Sequence, residues 1–313
     1  MTHYKFLTLS LLSLSMAASL AACGNSDTVE VPVKIEAIDR AAIDIGNLQD
    51  NGAQMQVFET PPGFKQGDKL VTYEGPGWES NKTAFRIYLD GRNALDIFGK
   101  KTPDMALSTV GRGEDYHTMA DWGMDILKVG NSLGAGGFGV YEDGKVRQIG
   151  SARTYKAEVV QDDLETAAVK VTHVGSRACR GSVAATYTIK ANERMSRVQV
   201  EGGCALPYAA GLIIHPNTSS IVSDGTGEWQ YKARYGAQSL VPDNLGLALF
   251  YKSSDIQDVS TDEDDDYIVF KPRTAPDYFT AAAWAQEAGG ITTEAEFKNW
   301  LEQTRETLNA SSR

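Results

Sequence analysis

The sequence predicts a mostly β protein, a large antiparallel β-sandwich followed by one C-terminal helix. Short segments with alternating apolar residues recur along the 313-residue chain and are separated by turn residues such as Asp143-Gly144. The strands do not alternate with helical segments, which argues against a parallel α/β sheet. Regular strand spacing of this kind is typical of a sandwich larger than an immunoglobulin domain.

The N-terminus predicts an exported lipoprotein. The chain begins MTHYKFLTLSLLSLSMAASLAAC, a short polar start followed by an apolar run and small residues. This pattern predicts a signal peptide over residues 1–22. The letters LAAC at positions 20–23 fit the bacterial lipoprotein cleavage box, so Cys23 is expected to become a lipidated N-terminus. Position 24 holds Gly24 and not the aspartate that commonly retains lipoproteins in the inner membrane. We therefore expect the protein to be anchored in the outer membrane and to face either the periplasm or the cell surface.

Residues 23–28 are expected to form a short lipidated tether, and residues 29–313 a single β-sandwich domain. Removal of the signal peptide leaves roughly 290 residues, enough for a sizeable core. Val29–Ile35 alternates well enough for a first strand, which Pro32 restricts to a sheet edge.

A second strand is predicted over Ala84–Leu89, with its apolar residues on one side and Arg86 and Tyr88 on the other. Asp90-Gly91 then turns the chain. The Arg86 side either lines a groove or is an ordinary solvated sheet face.

Two cysteines remain after lipidation, Cys179 and Cys204, and an even pair in an oxidising compartment favours a disulfide. They flank a predicted hairpin. A turn centred on residues 191–192 pairs Val183 with Val200 and places Cys179 opposite Cys204. The alternative is two buried free thiols.

One convincing helix is predicted at the end of the chain. Thr293 and Glu296 form a capping box. The apolar residues that follow at helical spacing are Phe297, Trp300, Leu301 and Leu308. The helix is therefore expected to pack on the outside of the sandwich through one face.

Composition limits the class of ligand. The chain is 42% apolar and 23% charged, as in ordinary globular proteins, with a net charge of -11. Nucleic-acid binding rewards clustered lysine and arginine, so this balance argues against it. A polyanionic ligand would need a local cationic pocket.

The densest run of chemically capable residues is Asp115–Gly139. It contains His117, whose imidazole is suited to proton transfer near neutral pH. Its neighbours in this run are Tyr116, Asp121, Trp122, Asp125 and Lys128. Trp78 and Trp122 offer flat faces on which sugar rings stack, although core tryptophans are common. His215 ends an apolar strand and is either a site member or a structural residue.

Other motifs have ordinary interpretations. GAGGFG at residues 134–139 matches a dinucleotide-binding pattern, but a strand follows it instead of a helix, so its glycines are expected to serve backbone geometry. The acidic run at residues 262–266 either binds calcium or forms a solvated loop. The histidines are too dispersed for a short zinc motif. No metal site and no cofactor, this calcium alternative aside, are expected.

Two blocks, GWESNKTAFRIYLDGRNALDIFGKK and DYHTMADWGMDILKVGNSLGAGG, resemble domain-of-unknown-function family 4861, a group of secreted bacterial proteins. The matching positions are Trp78, Glu79, Ala84, Phe85, Arg86, Tyr88, Tyr116, His117, Gly123, Asp125, Lys128, Val129 and Gly130. Ser80 and Asn81 stand where the family pattern has Asn and Asp. The resemblance implies a galactose-mutarotase-like supersandwich and a role on uronic-acid oligosaccharides of pectin or alginate.

On that expectation the protein is an enzyme of uronate-containing glycans, either a lyase or a glycoside hydrolase. A lyase needs a cation, a base and a proton donor. The candidates are Arg86 or Lys128 as cation, His117 as base, and Tyr116 or Tyr88 as donor. A hydrolase needs two carboxylates, for which Glu79 and Asp125 are the candidates. The expected sugar contacts are Trp78, Tyr88, Trp122, Asp121 and His215.

The alternative is a non-catalytic sugar-binding or mutarotase-like lipoprotein. It would keep the tryptophans and Arg86, and pure binding would need no proton-transfer group. In either case the expected partners are an oligosaccharide and, through Cys23, a membrane.

Overall fold

The computed structural model describes residues 39–311, which belong to one compact unit. The predicted signal peptide, Cys23, the tether and the predicted strand Val29–Ile35 lie outside the described residues. In the described part, no helix is both long and apolar enough to cross a membrane.

The described residues contain twenty-one strands and one α-helix. In chain order they are β1 Ala41–Asp44, β2 Gly46–Asn47, β3 Ala53–Gln54, β4 Val57–Glu59, β5 Gly77–Ser80, β6 Thr83–Ile87, β7 Leu95–Lys100, β8 Gly123–Asp125, β9 Ala135–Glu142, β10 Lys145–Gln148, β11 Thr154–Asp162, β12 Thr166–Ser176, β13 Gly181–Lys190, β14 Met195–Glu201, β15 Tyr208–Ile213, β16 Thr218–Val222, β17 Trp229–Ala237, β18 Asn244–Lys252, β19 Ile256–Thr261, β20 Asp265–Phe270, β21 Asp277–Trp284 and α1 Glu294–Ser311. Short 3₁₀ turns lie at Leu48–Asp50, Thr72–Glu74 and Ser253–Asp255.

The strands form three large antiparallel sheets and one small one. A nine-stranded sheet has the order β16-β17-β18-β21-β14-β13-β12-β11-β4, and two five-stranded sheets have the orders β1-β5-β6-β7-β8 and β10-β9-β15-β20-β19. Strands β2 and β3 form a small separate pair. The predicted mostly β, antiparallel fold with one C-terminal helix is confirmed.

The main core lies between the nine-stranded sheet and the two five-stranded sheets. Trp78 of β5 is fully buried there, with its ring 4.8 Å from that of Tyr187 of the nine-stranded sheet. Its indole Nε1 donates a hydrogen bond of 2.8 Å to Ser196 Oγ on β14. The inner face of the sheet β1-β5-β6-β7-β8 therefore packs against the nine-stranded sheet. Its outer face is left for other contacts.

Helix α1 packs on the opposite face of the nine-stranded sheet, as the sequence predicts. Glu296 N–H donates to Thr293 Oγ1 at 3.2 Å and Thr293 N–H donates to Glu296 Oε2 at 3.0 Å, so the capping box is confirmed. Phe297 and Leu301 are fully buried against that sheet. Burial of each contributes about 1.5–3 kcal/mol, which explains why this single helix is held.

A disulfide joins Cys179 and Cys204, whose Cα atoms are 4.2 Å apart. The predicted register is wrong by two residues, because Ala185 and not Val183 pairs with Val200. The turn is centred one residue further along the chain, between residues 192 and 193, and Asn192 adopts a left-handed conformation with φ 61°. The cysteines therefore lie beyond the paired ends of β13 and β14.

The glycine-rich run itself lies largely in a strand, whereas the sequence predicts a strand after it, and its glycines serve close packing as predicted. Most of the run lies in β9. A Cβ on Gly134, which has φ 74°, would collide with the carbonyl oxygen of Leu95, and one on Gly139 would collide with that of Arg147. These positions let the backbone of β9 approach its neighbours closely.

The acidic run is only partly a loop, so the solvated-loop interpretation is wrong for its last two residues. Asp265 is buried in β20, where its carboxylate accepts the Leu133 N–H at 3.0 Å. Asp266 is also buried and forms ion pairs with Lys232 and Arg234. The carboxylates of Asp265 and Asp266 therefore have structural roles. Across residues 39–311, no three or more His, Cys, Asp or Glu side chains are grouped so as to hold a metal ion.

Candidate functional site

The candidate site lies on the outer face of the sheet β1-β5-β6-β7-β8. Arg86 of β6 pairs directly with Asp96 of β7, and Asp125 of β8 lies opposite Phe98, two residues along β7 from Asp96. Because side chains alternate along a strand, Arg86, Asp96 and Asp125 share one face. Three neighbouring strands thus bring one cation and two carboxylates together.

This face is neither a solvated surface nor an open groove, which corrects both expectations for the Arg86 strand. A small apolar cluster covers it; its residues are Tyr73, Ala84, Phe98, Ala106, Leu107 and Val110, with Tyr116 and Trp122 packed against them. Arg86 is 2% exposed as a result.

The guanidinium of Arg86 is saturated by protein groups. Its Nη2 lies 2.7 Å from Asp96 Oδ2 and 2.7 Å from Asp125 Oδ2, and its Nη1 donates to the Tyr73 carbonyl at 2.8 Å. Both carboxylates raise the pKa of Arg86 although burial opposes them. Arg86 therefore has no charge left over for a substrate carboxylate.

Asp125 shares this one cation with Asp96. Burial, reinforced by the negative charge of Asp96, raises the pKa of Asp125 to about 8, although Arg86 acts in the opposite direction. At neutral pH Asp125 is consequently mostly protonated. One proton and one arginine together neutralise the two buried carboxyl groups.

Tyr88 separates two arginines and offers no exposed face to a sugar. The guanidinium carbon of Arg86 lies 4.6 Å from the Tyr88 ring centroid, and that of Arg92 lies 3.6 Å from it. Its hydroxyl donates to Asp96 Oδ2 at 2.8 Å, and burial raises its pKa. Tyr88 is 6% exposed, so its role is to position these charged groups.

The turn Thr72–Glu74 closes over the network in an unfavourable backbone conformation. Tyr73 and Glu74 have φ values of 38° and 66°, in the left-handed region that side chains other than glycine avoid. The Arg86 hydrogen bond to the Tyr73 carbonyl and a hydrogen bond from the Tyr73 hydroxyl to Asp44 hold the turn in place. The turn presents Glu74 at the surface beside the site.

His117 lies at the edge of this network, and its side chain is 55% exposed. Asp115 Oδ1 accepts the His117 backbone N–H at 3.1 Å and lies 3.3 Å from the ring Nδ1. The other ring nitrogen, Nε2, is 3.5 Å from Asp125 Oδ2. Asp115 thereby favours the tautomer with a proton on Nδ1, which leaves the Nε2 lone pair able to accept a proton.

A cleft of about 470 Å³ opens beside His117. Its lining includes Lys69, Tyr73, Glu74, Glu114, Tyr116 and His117. The carboxylates at this cleft already have partners, because Glu74 pairs with Arg92 at 3.4 Å and Glu114 accepts the backbone N–H groups of Gly111 and Arg112. Lys69 forms no ion pair within residues 39–311, so it is the cation available to a ligand.

Glu79, the predicted partner carboxylate of Asp125, is committed to a different ion pair. Lys100 Nζ lies 2.6 Å from Glu79 Oε2, and both side chains are 1% exposed. The same carboxylate accepts the N–H groups of Ala106 and Leu107 at 3.0 and 2.8 Å. It anchors the covering loop, and solvent does not reach it.

The tryptophans and Asp121 do not line the cleft. Trp78 is buried in the main core and has no exposed face for stacking. Trp122 is half-buried and packs against Phe98, with ring centroids 6.0 Å apart. Asp121 is exposed next to it. None of the three contacts His117 in the described hydrogen bonds, ion pairs and ring contacts.

Lys128 and His215 are brought together, apart from Arg86 and His117. Lys128 is exposed, and a hydrogen bond links the His215 ring to its backbone. Burial lowers the pKa of His215, and its Nε2 has no hydrogen-bond partner in the described part of the chain. Lys128 makes no described ion pair with the carboxylates of the Arg86 network, so its predicted role as the cation of this site is not supported.

Residues of the site that are missing from the sequence-based set include Lys69, Tyr73, Glu74, Asp96 and Asp115. The sequence could have identified Asp96, because a hairpin centred on Gly91 pairs it with Arg86. The sequence could also have identified Asp115, since an aspartate commonly accepts the backbone N–H of the residue two positions further on, here His117. The other three come from a loop without a motif.

The fold and the site define a class: a β-sandwich protein in which a buried arginine and two aspartates support a half-exposed histidine at a cleft. The family model described as Domain of unknown function (DUF4861) matches residues 19–313. The chain therefore belongs to this family, as the two sequence blocks predict. Searches of curated proteins and of solved structures found no significant match.

Proposed function

We propose that this protein is a carbohydrate-active lyase for uronic-acid-containing oligosaccharides of the pectin or alginate type. The observation that carries the proposal is His117 at the cleft, with Asp115 on one ring nitrogen and the buried Asp125 near the other. A proton-transfer group oriented in this way suits β-elimination, in which a base removes the proton α to a carboxylate.

The elimination assigns one task to each side chain. The Nε2 lone pair of His117 takes the C5 proton of the uronate, and the C4–O bond breaks as a C4=C5 double bond forms. Tyr116 donates its proton to the departing oxygen. Its ring lies 4.3 Å from that of His117, and burial raises its pKa, which keeps the phenol protonated.

Lys69 supplies the cation that a lyase requires. Deprotonation at C5 moves negative charge onto the substrate carboxylate, and an ammonium group nearby stabilises that charge. Arg86 is saturated and Lys128 lies beside His215, so Lys69 replaces both candidates from the sequence. The lysine also meets the need for local positive charge in a protein of net charge -11.

A lyase is favoured over a glycoside hydrolase because the pair of carboxylates that the sequence predicts, Glu79 and Asp125, is not available. Glycoside hydrolysis uses two carboxyl groups that flank the bond. Glu79 is sequestered by Lys100 and two backbone amides. Asp125 is left as a protonated group behind a histidine.

The test is to incubate the mature protein with saturated oligogalacturonides and oligoalginates. We expect product that absorbs in the unsaturated-uronate band, and we expect Lys69→Gln to lower kcat/KM about tenfold through loss of one charged contact to the transition state. Lys145→Gln, an exposed lysine on β10 outside the cleft, serves as the control and should behave as wild type.

New reducing ends without the absorbance would establish hydrolysis instead. Binding or anomer interconversion without cleavage would establish the sugar-binding or mutarotase-like alternative. Either result would overturn the lyase assignment.

We also propose that the protein is anchored in the outer membrane, facing the periplasm or the cell surface, by lipid on Cys23. Acyl chains on a single N-terminal cysteine are sufficient for stable attachment when more than one is present. We expect Cys23→Ser to move the protein from the membrane fraction to the soluble fraction, whereas Ser26→Ala should stay in the membrane. Mass spectrometry of the N-terminal peptide reports the lipid directly, and a membrane-bound Cys23→Ser protein would contradict the proposal.

A further inference from the structure

A second cleft, of about 390 Å³, lies next to the one at His117. Its lining includes Phe64, Lys65, Asp90, Arg92, Gln148 and Tyr155. Ligand sites for small molecules are commonly about 300–1,000 Å³, so it is large enough for one sugar ring. None of these residues takes part in the proposed proton transfer.

The two clefts share a wall at two points. The loop that carries Gln66 into the second cleft continues directly to Gly67, which lines the first. Arg92 of the second cleft lies 3.4 Å from Glu74 of the first. An extended chain of sugars would therefore pass from one cleft to the next across the Arg92–Glu74 pair.

The second cleft combines an aromatic surface with hydrogen-bond donors, as sugar sites do. The Phe64 and Tyr155 rings meet edge to face with centroids 6.3 Å apart. The Tyr155 hydroxyl accepts the Ala152 N–H at 3.1 Å, and burial raises its pKa, so its proton is free to be donated.

Arg92 is fixed in place as a donor. Asp90 accepts from Arg92 Nε at 3.0 Å and from Nη2 at 2.6 Å, and the guanidinium lies over the Tyr88 ring. Its Nη1 has no hydrogen-bond partner among the described residues. A ligand hydroxyl or carboxylate reaches this nitrogen without displacing an existing contact.

The charge of the second cleft favours an anionic ligand. Its one acidic lining residue, Asp90, forms an ion pair with Arg92. Lys65 is exposed, and its ammonium group forms no ion pair within residues 39–311. The one charged lining group without an ion pair among the described residues is therefore a cation, although the protein as a whole is negative.

We propose that the second cleft is a binding subsite for the neighbouring uronate residue of the same oligosaccharide, with Lys65 facing its carboxylate, Arg92 Nη1 donating to one of its hydroxyl groups and the Phe64–Tyr155 pair facing its ring. This subsite rests on the proposed function of the first cleft, because it presupposes a uronate chain at His117. It makes the protein prefer oligomers that are long enough to fill both clefts.

The experiment is calorimetric titration of the mature His117→Ala protein, in which turnover is slowed, with a uronate dimer and a tetramer. The tetramer should bind more tightly than the dimer. Lys65→Gln in this background should weaken tetramer binding about tenfold and leave dimer binding within about twofold, since one charged contact is lost at the second cleft only. Lys145→Gln should change neither.

Equal affinity for the two lengths, unchanged tetramer binding in Lys65→Gln, or equal weakening of both ligands would overturn the subsite. Failure of the proposed function looks different: the wild-type protein would form no unsaturated product, whatever its affinity. Turnover by the wild type together with length-independent binding would therefore reject the second cleft alone.

Discussion

Arg86→Met is expected to destabilise the protein by about 3–5 kcal/mol, because removing one partner of a buried ion pair leaves uncompensated charge. Asp96 and Asp125 are 1% and 2% exposed and share this single arginine. The substitution also removes the donor to the Tyr73 carbonyl, which holds a strained turn. Urea unfolding of wild type and variant at pH 7 measures the difference.

Two further variants make this test specific. Arg86→Met combined with Asp96→Asn should recover part of the loss, because it removes the carboxylate that Arg86 neutralises in the same cavity. Arg147→Met breaks an ion pair with Glu142 that is largely exposed, at 56% and 40%, and should cost less than about 1 kcal/mol. A loss below about 1 kcal/mol for Arg86→Met would contradict the account of this network.

The same network gives stability a pH dependence of known sign. The pKa of Asp125 is raised in the folded protein to about 8 from an ordinary value of 3.8. Its contribution to stability is therefore complete below pH 3.8 and is lost as the pH rises to about 8. Asp125→Asn should flatten the unfolding free energy across that window.

The regular parts of the fold follow from the sequence because they depend on local chemistry. The helix is specified by Thr293 and Glu296 at its start and by apolar residues at helical spacing, and each of these contacts is local. Strand alternation gives the two faces of β6 correctly. It does not say that loops from residues 103–122 will bury the polar face, since that depends on non-local packing.

The hairpin register shows a second limit. Shifting a hairpin by two residues keeps every side chain on its own face, so the pattern of apolar residues is satisfied by both pairings. Only the turn conformation at Asn192 decides between them. The predicted disulfide is nevertheless correct, because Cys179 and Cys204 lie in the loops beyond the paired strands and their positions do not depend on the hairpin register.

For the site, the family blocks identify the right strands but not which side chains face the cleft. Arg86, His117 and Asp125 meet as expected, whereas the backbone of Lys128 bonds the His215 ring and Glu79 pairs with Lys100. A motif gives residue types in order along the chain. Which charge is already used by a buried partner depends on the folded structure, and for Arg86 this decides its role.

His117→Ala is expected to reduce kcat on the oligouronide that the wild type cleaves by about 10²–10⁴-fold, the usual contribution of a general base. KM should change little, because Lys69 and the cleft walls remain. Initial rates from the unsaturated-uronate absorbance provide both constants. The variant should keep nearly wild-type stability, since the His117 side chain is 55% exposed.

Asp115→Asn tests the orientation of the imidazole separately from its presence. Asp115 is exposed and contacts Nδ1 at 3.3 Å, so its loss frees the ring to adopt the other tautomer. We expect an intermediate fall in kcat and a displaced pH–rate profile, because the charge beside the base has changed. His215→Ala alters a histidine outside the cleft and should leave both constants unchanged. Full activity in His117→Ala, or activity lost equally in His215→Ala, would remove His117 from the reaction and with it the proposed chemistry of this cleft.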